Sequence, residues 1–105
     1  GLLLKKHESE VAKLCHPSNV HTFELDNIRV PCVNVLPQYT SDVGAILSKN
    51  APFAVMYYHT GTHRVYSLRS SPNSETAADV SEIAKHFGGG GHKHAAGFRT
   101  RLHDV

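Results

Sequence analysis

The sequence predicts a single small α/β domain, a mixed sheet of about five strands with flanking helices. Three observations predict it. Helical and strand-like segments alternate in the order α β β α β β α β, the pattern that lays helices on a sheet. The chain has 105 residues, 40% of them apolar, which suffices for one hydrophobic core. The two most strand-like segments, 53–59 and 63–70, are joined by Thr60-Gly61-Thr62, so they close as a hairpin.

Each element has its own signal. In residues 2–15, Leu4, Val11, Leu14 and Cys15 form one apolar stripe. Lys6 with Glu10, and Glu8 with Lys13, suit the exposed side of a helix that Pro17 ends. Val20 to Leu25 and Ile28 to Leu36 read as strands around an Asp26-Asn27 turn, with Pro31 pointing to an edge or a bulge. Ser41 is the expected N-cap of a helix that carries Val43, Ile46 and Leu47 on one face and ends near Asn50. In the strand 63–70, Val65, Ser67 and Arg69 share one face and Arg64, Tyr66 and Leu68 the other. Ser71 to Ala77 is loop. Asp79, with Glu82 three residues on, resembles a capping box. Val80, Ile83, Ala84 and Phe87 then give the helical spacing, and Gly88 is the C′ glycine. His92 to Ala96 is expected as a helical turn and Gly97 to Leu102 as the last strand.

Residues 88–97, Gly-Gly-Gly-Gly-His-Lys-His-Ala-Ala-Gly, are the most informative stretch. Ordering four glycines costs more backbone entropy than ordering any other residues. In a folded site such a run lets backbone approach something closely. Small residues, exposed N–H groups and a histidine together describe a cradle for an anion such as phosphate. A flexible linker is the bland alternative, but here a helix signal leads straight into the run and a strand signal leaves it.

The net charge of +2 excludes a histone-like polycation. The positive charge gathers late, with Lys85, Lys93, Arg99 and Arg101 against Asp104, beside His86, His92, His94 and His103. Arg69 lies in Ser67-Leu68-Arg69-Ser70. Arginine grips phosphate bidentately, and the serines add hydroxyl donors. Tyr57 and Tyr58 fit packing on the sheet better than stacking on a base. The nine histidines include His59 and His63 beside the hairpin turn, but no helix carries His-x-x-x-His and no cysteine spacing suits zinc. His7, His16, His21 and His103 read as surface residues. Cys15 and Cys32 stand outside any C-x-x-C and read as reduced thiols of a cytoplasmic protein. No apolar run approaches the length of a membrane span. The start at Gly1, without Met, suggests a piece of a longer protein.

Ser67-Leu68-Arg69-Ser70, Asp79-Val80-Ser81 with Ile83-Ala84, Phe87-Gly88-Gly89-Gly90-Gly91-His92 and Ala95-Ala96-Gly97-Phe98 strongly resemble the C-terminal DHH-associated domain of DHH-family phosphoesterases. The likeness is dense over 53–100 and looser over 28–50. It implies that residues 1–19 are a linker helix from a missing N-terminal catalytic domain and that 20–105 are the substrate-binding domain. That missing domain would carry an Asp-His-His motif and two manganese ions. Substrates in the family are short oligonucleotides and small nucleotides, and in some members single-stranded DNA. Carried onto this chain, Gly89, Gly90, Gly91 and His92 would hold a phosphate. Ser67, Arg69 and Ser70 would hold a phosphate or the nucleotide end. Ala95, Ala96 and Gly97 would let backbone lie close to the ligand. The resemblance also implies partners: a phosphorylated small molecule or short oligonucleotide, the DHH domain itself, no membrane and, for the full-length protein, a second copy.

This chain has no Asp-His-His motif. Asp26, Asp42, Asp79 and Asp104 are scattered, whereas a two-metal site needs converging carboxylates. The expectation is therefore a chain that binds without turning over and holds no metal or other cofactor itself. The alternative is an RNA-binding module without hydrolysis, like the similar domain at the end of alanyl-tRNA synthetases. The mild charge favours a small ligand over a long polymer. A P-loop nucleotidase is excluded, because no Lys-Ser or Lys-Thr follows the glycines.

Overall fold

The computed structural model describes residues 2–102. Helix α1 (Leu2–Leu14) leads through a 3-10 turn into strands β1 (His21–Leu25) and β2 (Ile28–Asn34). Helix α2 (Thr40–Leu47) crosses to β3 (Ala54–His59) and β4 (His63–Arg69). Helix α3 (Val80–His86) leads to β5 (Gly90–His92) and β6 (Ala95–Arg101). The sheet has six strands in the order β1-β2-β3-β4-β6-β5. Only β2 and β3 pair in parallel, as a strand–helix–strand crossover requires, and the other neighbours are antiparallel. The sixth strand is β5, made from the glycine run. His92 pairs with Ala95 across a two-residue turn, which replaces the helical turn expected at 92–96.

The β1–β2 hairpin closes at Asp26-Asn27, whose φ angles of 54° and 67° are those of the left-handed turn that matches strand twist. Pro31 does not mark an edge, since β2 pairs on both sides. In a two-residue hairpin the closing pair, Leu25 and Ile28, is hydrogen-bonded, so by alternation the Thr22–Pro31 pair is not. The proline nitrogen faces β3, where pairing begins only at Cys32.

Two cores sandwich the sheet. On one face α3 covers Val30, Phe53, Val55 and Leu68 with Val80, Ile83 and Ala84. On the other, α1 and α2 supply Val11 and Val43 to Val33, Val35, Ala54 and Met56. Phe53, Leu68 and Met56 are fully buried, and burial of a side chain of this size is worth about 1.5–3 kcal/mol.

Helix α2 starts one residue before Ser41. A 3-10 turn over Pro37–Tyr39 feeds it, Tyr39 is the N-cap position, and the Ser41 hydroxyl is engaged elsewhere. Its inward face is Val43 and Gly44, whereas Ile46 is exposed. On α1 the ion pair is Glu10 with Lys13, in place of the pairs expected from spacing. His7 is no free surface histidine. It stacks on Tyr39 and shares a 2.6 Å hydrogen bond with Asp42, tying α1 to α2. Among the described residues, no helix is long and apolar enough to cross a membrane.

Candidate functional site

The Asp79 carboxylate accepts from the Ser81 amide at 3.0 Å and starts α3. At the helix's other end the Gly88 amide donates to Lys85 and the Gly89 amide to Ala84, with Gly88 at a φ of 86°, the Schellman arrangement. These two amides are therefore spent on the helix end. A Cβ on Gly89 would run into the Gly97 carbonyl oxygen. A Cβ on Gly91, whose φ is 146°, would stand 2.6 Å from Ala96 Cα. Gly90 differs, because a Cβ there meets nothing within 4 Å. By strand alternation Gly90 is hydrogen-bonded to Gly97, while the Gly91 N–H points outward from the free edge of β5.

The turn of this hairpin is stitched down. The Val80 amide donates to the Lys93 carbonyl at 2.9 Å and the Ser70 amide to the His94 carbonyl at 3.1 Å. Ser70 is buried, and its hydroxyl lies 2.9 Å from His94 Nδ1. Ser70 thus holds the hairpin tip against the end of β4.

Register fixes which side chains share a face. Ser67 stands opposite Gly97, Arg69 opposite Ala95 and Val65 opposite Arg99. Helix α2 covers this face over β3 and reaches the Arg69 end of β4, but leaves the rest of β4, β6 and β5 bare. The result is an open cleft of about 840 Å³, which Ser67, Arg69, Gly89, Gly90, Gly91, Ala95, Ala96 and Gly97 line together. Arg99 and Thr40 also line it, and among the described residues no carboxylate does. Gly97, Ala95 and Gly90 keep the floor low. Arg69 and Arg99 are four positions apart along the register, roughly 13 Å between backbones.

Of the ten residues singled out in the sequence, eight line this cleft. Ser70 turns away toward His94. His92 ends β5, exposed and in register with Ala95, outside the cleft lining. Arg99 is the member that motif reading passes over. It is one arginine of a basic stretch until β6 alternation puts it on the Gly97 face. Of the basic tail, Lys85 pairs with Glu82 and His86 with Asp26. His103 and Asp104 lie outside the described residues. Arg69 itself donates a 2.8 Å hydrogen bond to Ser41 and packs against Gly44 of α2.

The family that the motifs resemble uses manganese. Among the described residues, no three of His, Cys, Asp and Glu converge as metal ligands. The described residues do not fit a metal centre, and no metal-assisted step is assigned to them.

No family model matches this sequence, and no curated protein matches it. The fold is similar to part of the pGpG-specific phosphodiesterase PggH of Vibrio cholerae, with a TM-score of 0.67 and 14% identity over 95% of this chain and 35% of that one. It is also similar to the C-Ala domain of alanyl-tRNA synthetase from Aquifex aeolicus, with a TM-score of 0.58 and 13% identity over 80% of this chain and 86% of that one. A third likeness is to an uncharacterized protein from Helicobacter pylori G27, with a TM-score of 0.59 and 19% identity over 94% and 27% of the two chains. This chain therefore spans 35% of the phosphodiesterase and most of the C-Ala domain. At these identities the likeness is one of fold.

Proposed function

We propose that this chain is the substrate-holding domain of a DHH-type phosphoesterase acting on short oligonucleotides or small nucleotides. The observation that carries the reading is that Arg69, Arg99 and Ser67 line one open cleft with a glycine hairpin, and among the described residues no carboxylate joins them. Arg69 and Ser67 take one phosphate, and the outward N–H of Gly91 is a separate donor at the free edge of β5. Arg99, roughly 13 Å away along the strands, takes the other end of a ligand of dinucleotide size. His92 adds a donor from the outer strand. Gly90, Ala95, Ala96 and Gly97 admit the ligand to the sheet surface. Bond breaking, and the manganese it uses, belong to a separate N-terminal domain.

A second reading, an RNA-binding module without hydrolysis, is favoured by the likeness to C-Ala, 86% of which this chain covers. The two part on salt. A ligand of dinucleotide size releases few counterions, whereas a long RNA gives a steep dependence.

Titration with a 5′-phosphorylated dinucleotide, followed by backbone amide shifts, tests the proposal. It expects Ser67, Arg69, Gly90, Gly91 and Arg99 to move together and saturate. No movement at these positions overturns the assignment of the cleft.

A further inference from the structure

The opposite face of the same sheet carries a second group of chemistry-bearing side chains. Helix α3 covers only part of that face. Beyond it, His21, Phe23, Cys32, Tyr57, Arg64 and Tyr66 line a depression of about 300 Å³. Four strands contribute, and register places them together. Tyr57 pairs with Tyr66, His59 with Arg64 and His21 with Cys32. Phe23 leans across β2 and β3 until its ring centroid is 6.3 Å from that of Tyr66 and nearly parallel to it. Tyr66 in turn stacks on Phe98 at 4.7 Å, which holds its ring in place from behind.

Arg64 is the unusual member. Its guanidinium lies 5.3 Å from the centroid of the Tyr57 ring, Nε donates to His59 Nε2 at 2.8 Å, and a terminal nitrogen donates to the Tyr66 hydroxyl at 3.4 Å. All three partners are neutral groups or a π face, and no carboxylate pairs with it among the described residues. Among the described residues no carboxylate lines the depression either. The arginine is thus held in one place among aromatic rings with its charge uncompensated. A sheet that offers flat rings beside a fixed guanidinium has what single-stranded nucleic acid recognition uses. Bases stack on the rings, and the cation meets the backbone phosphate between them. The ring edges, the arginine and two flanking histidines, His21 and His59, give a chemistry complementary to an anion that carries π faces.

We propose that this face is a second contact surface, one that stacks a base of single-stranded nucleic acid on Phe23 and Tyr57, with Tyr66 supporting Phe23 from behind, and holds the adjoining phosphate with Arg64. The proposal rests on the face opposite the Ser67 and Arg69 side chains, and among the described residues Tyr66 borders both the depression and the cleft. If both surfaces are used, the ligand reaches beyond a dinucleotide.

The test is a titration of the full chain with a short oligouridylate lacking a terminal phosphate. Amide shifts, the Arg64 Nε signal and tyrosine fluorescence are followed together. The proposal expects Tyr57, His59 and Arg64 to shift, the fluorescence to be quenched by stacking, and Arg64→Gln to weaken binding by roughly tenfold. Arg64→Gln should leave the cleft's response to a 5′-phosphorylated dinucleotide unchanged. Tyr57→Leu, which keeps the apolar contact and removes the ring, should weaken binding by a similar factor. It serves as the independent variant if Arg64→Gln lowers thermal stability. Shifts confined to the cleft, or oligouridylate affinity within twofold of the parent in both variants, would overturn the proposal. So would a platform that stays still with oligouridylate yet becomes protected in a longer form of the protein, since a protein segment would then cover that face.

Discussion

The Arg69 guanidinium donates to the Ser41 hydroxyl at 2.8 Å across 28 positions of sequence, joining the end of β4 to the first turn of α2. Beneath that bond the Arg69 side chain lies against Gly44, where a Cβ would approach Arg69 Cγ to 2.6 Å. The missing side chain at Gly44 lets the arginine stem pass under the helix and present its head at the edge of the cleft. Ser41 is a neutral, exposed partner, so this hydrogen bond leaves the Arg69 charge for an anion and can be given up to it.

Two substitutions separate holding from binding. Arg69→Ala removes a charge-assisted contact worth about 1.5–3 kcal/mol and should weaken dinucleotide binding by roughly tenfold or more. Ser41→Ala removes only the competing neutral partner. It should leave binding intact or tighten it by up to about tenfold, the equivalent of a net 0.5–1.5 kcal/mol hydrogen bond. Calorimetric titration of the two variants checks both. Equal losses from both would mean that Arg69 serves the fold alone.

Gly89 and Gly91 are required by packing. Gly89→Ala would drive a methyl into the Gly97 carbonyl, and Gly91→Ala combines a left-handed φ with a clash at Ala96. Each should lower stability by about 2 kcal/mol. For a domain of this size that is a fall in Tm of roughly 8–16 °C, readable by thermal unfolding.

The α3 cap predicts a pH signature. The hydrogen bond from the Ser81 side chain, then the Ser81 and Glu82 amides, hold the Asp79 carboxyl below its ordinary 3.8. A carboxyl depressed on folding contributes stability above its unfolded value and loses it as pH falls through the folded one. Asp79→Ala should therefore lower Tm at neutral pH, and the gap to the parent should close below pH 3.8. Asp79→Asn keeps a capping oxygen without the titrating charge, so its Tm should not carry this pH dependence.

Much of the fold is legible in the sequence because local and tertiary signals agree. The Asp79 cap, the apolar spacing of α3 and Gly88 all point to one helix, and Asp26-Asn27 between strands points to one hairpin. Alternation along 63–70 is enough to put Ser67 and Arg69 on one face. The failures have physical causes. Gly90-Gly91-His92 has no strand propensity, and β5 exists because its glycines fit against the β6 backbone, which no local pattern encodes. Ser41 has the chemistry of a cap, but Pro37 starts the turn earlier and frees its hydroxyl for Arg69. Arg99 becomes visible as a cleft residue only through the register of β6. Ser70, identical in type to Ser67, faces the other way because strand alternation assigns it to the buried side.

Gly90→Ala is the most direct test of the central claim, that the glycine hairpin exists to admit a phosphate-bearing ligand. A Cβ at this position meets nothing within 4 Å, so the fold has room for it and only a ligand in the cleft would meet it. We expect an unchanged Tm and a loss of dinucleotide affinity of roughly tenfold or more, the scale of one displaced charge-assisted contact. Unchanged affinity together with unchanged Tm would contradict the account, because it would show that nothing binds against the glycine backbone.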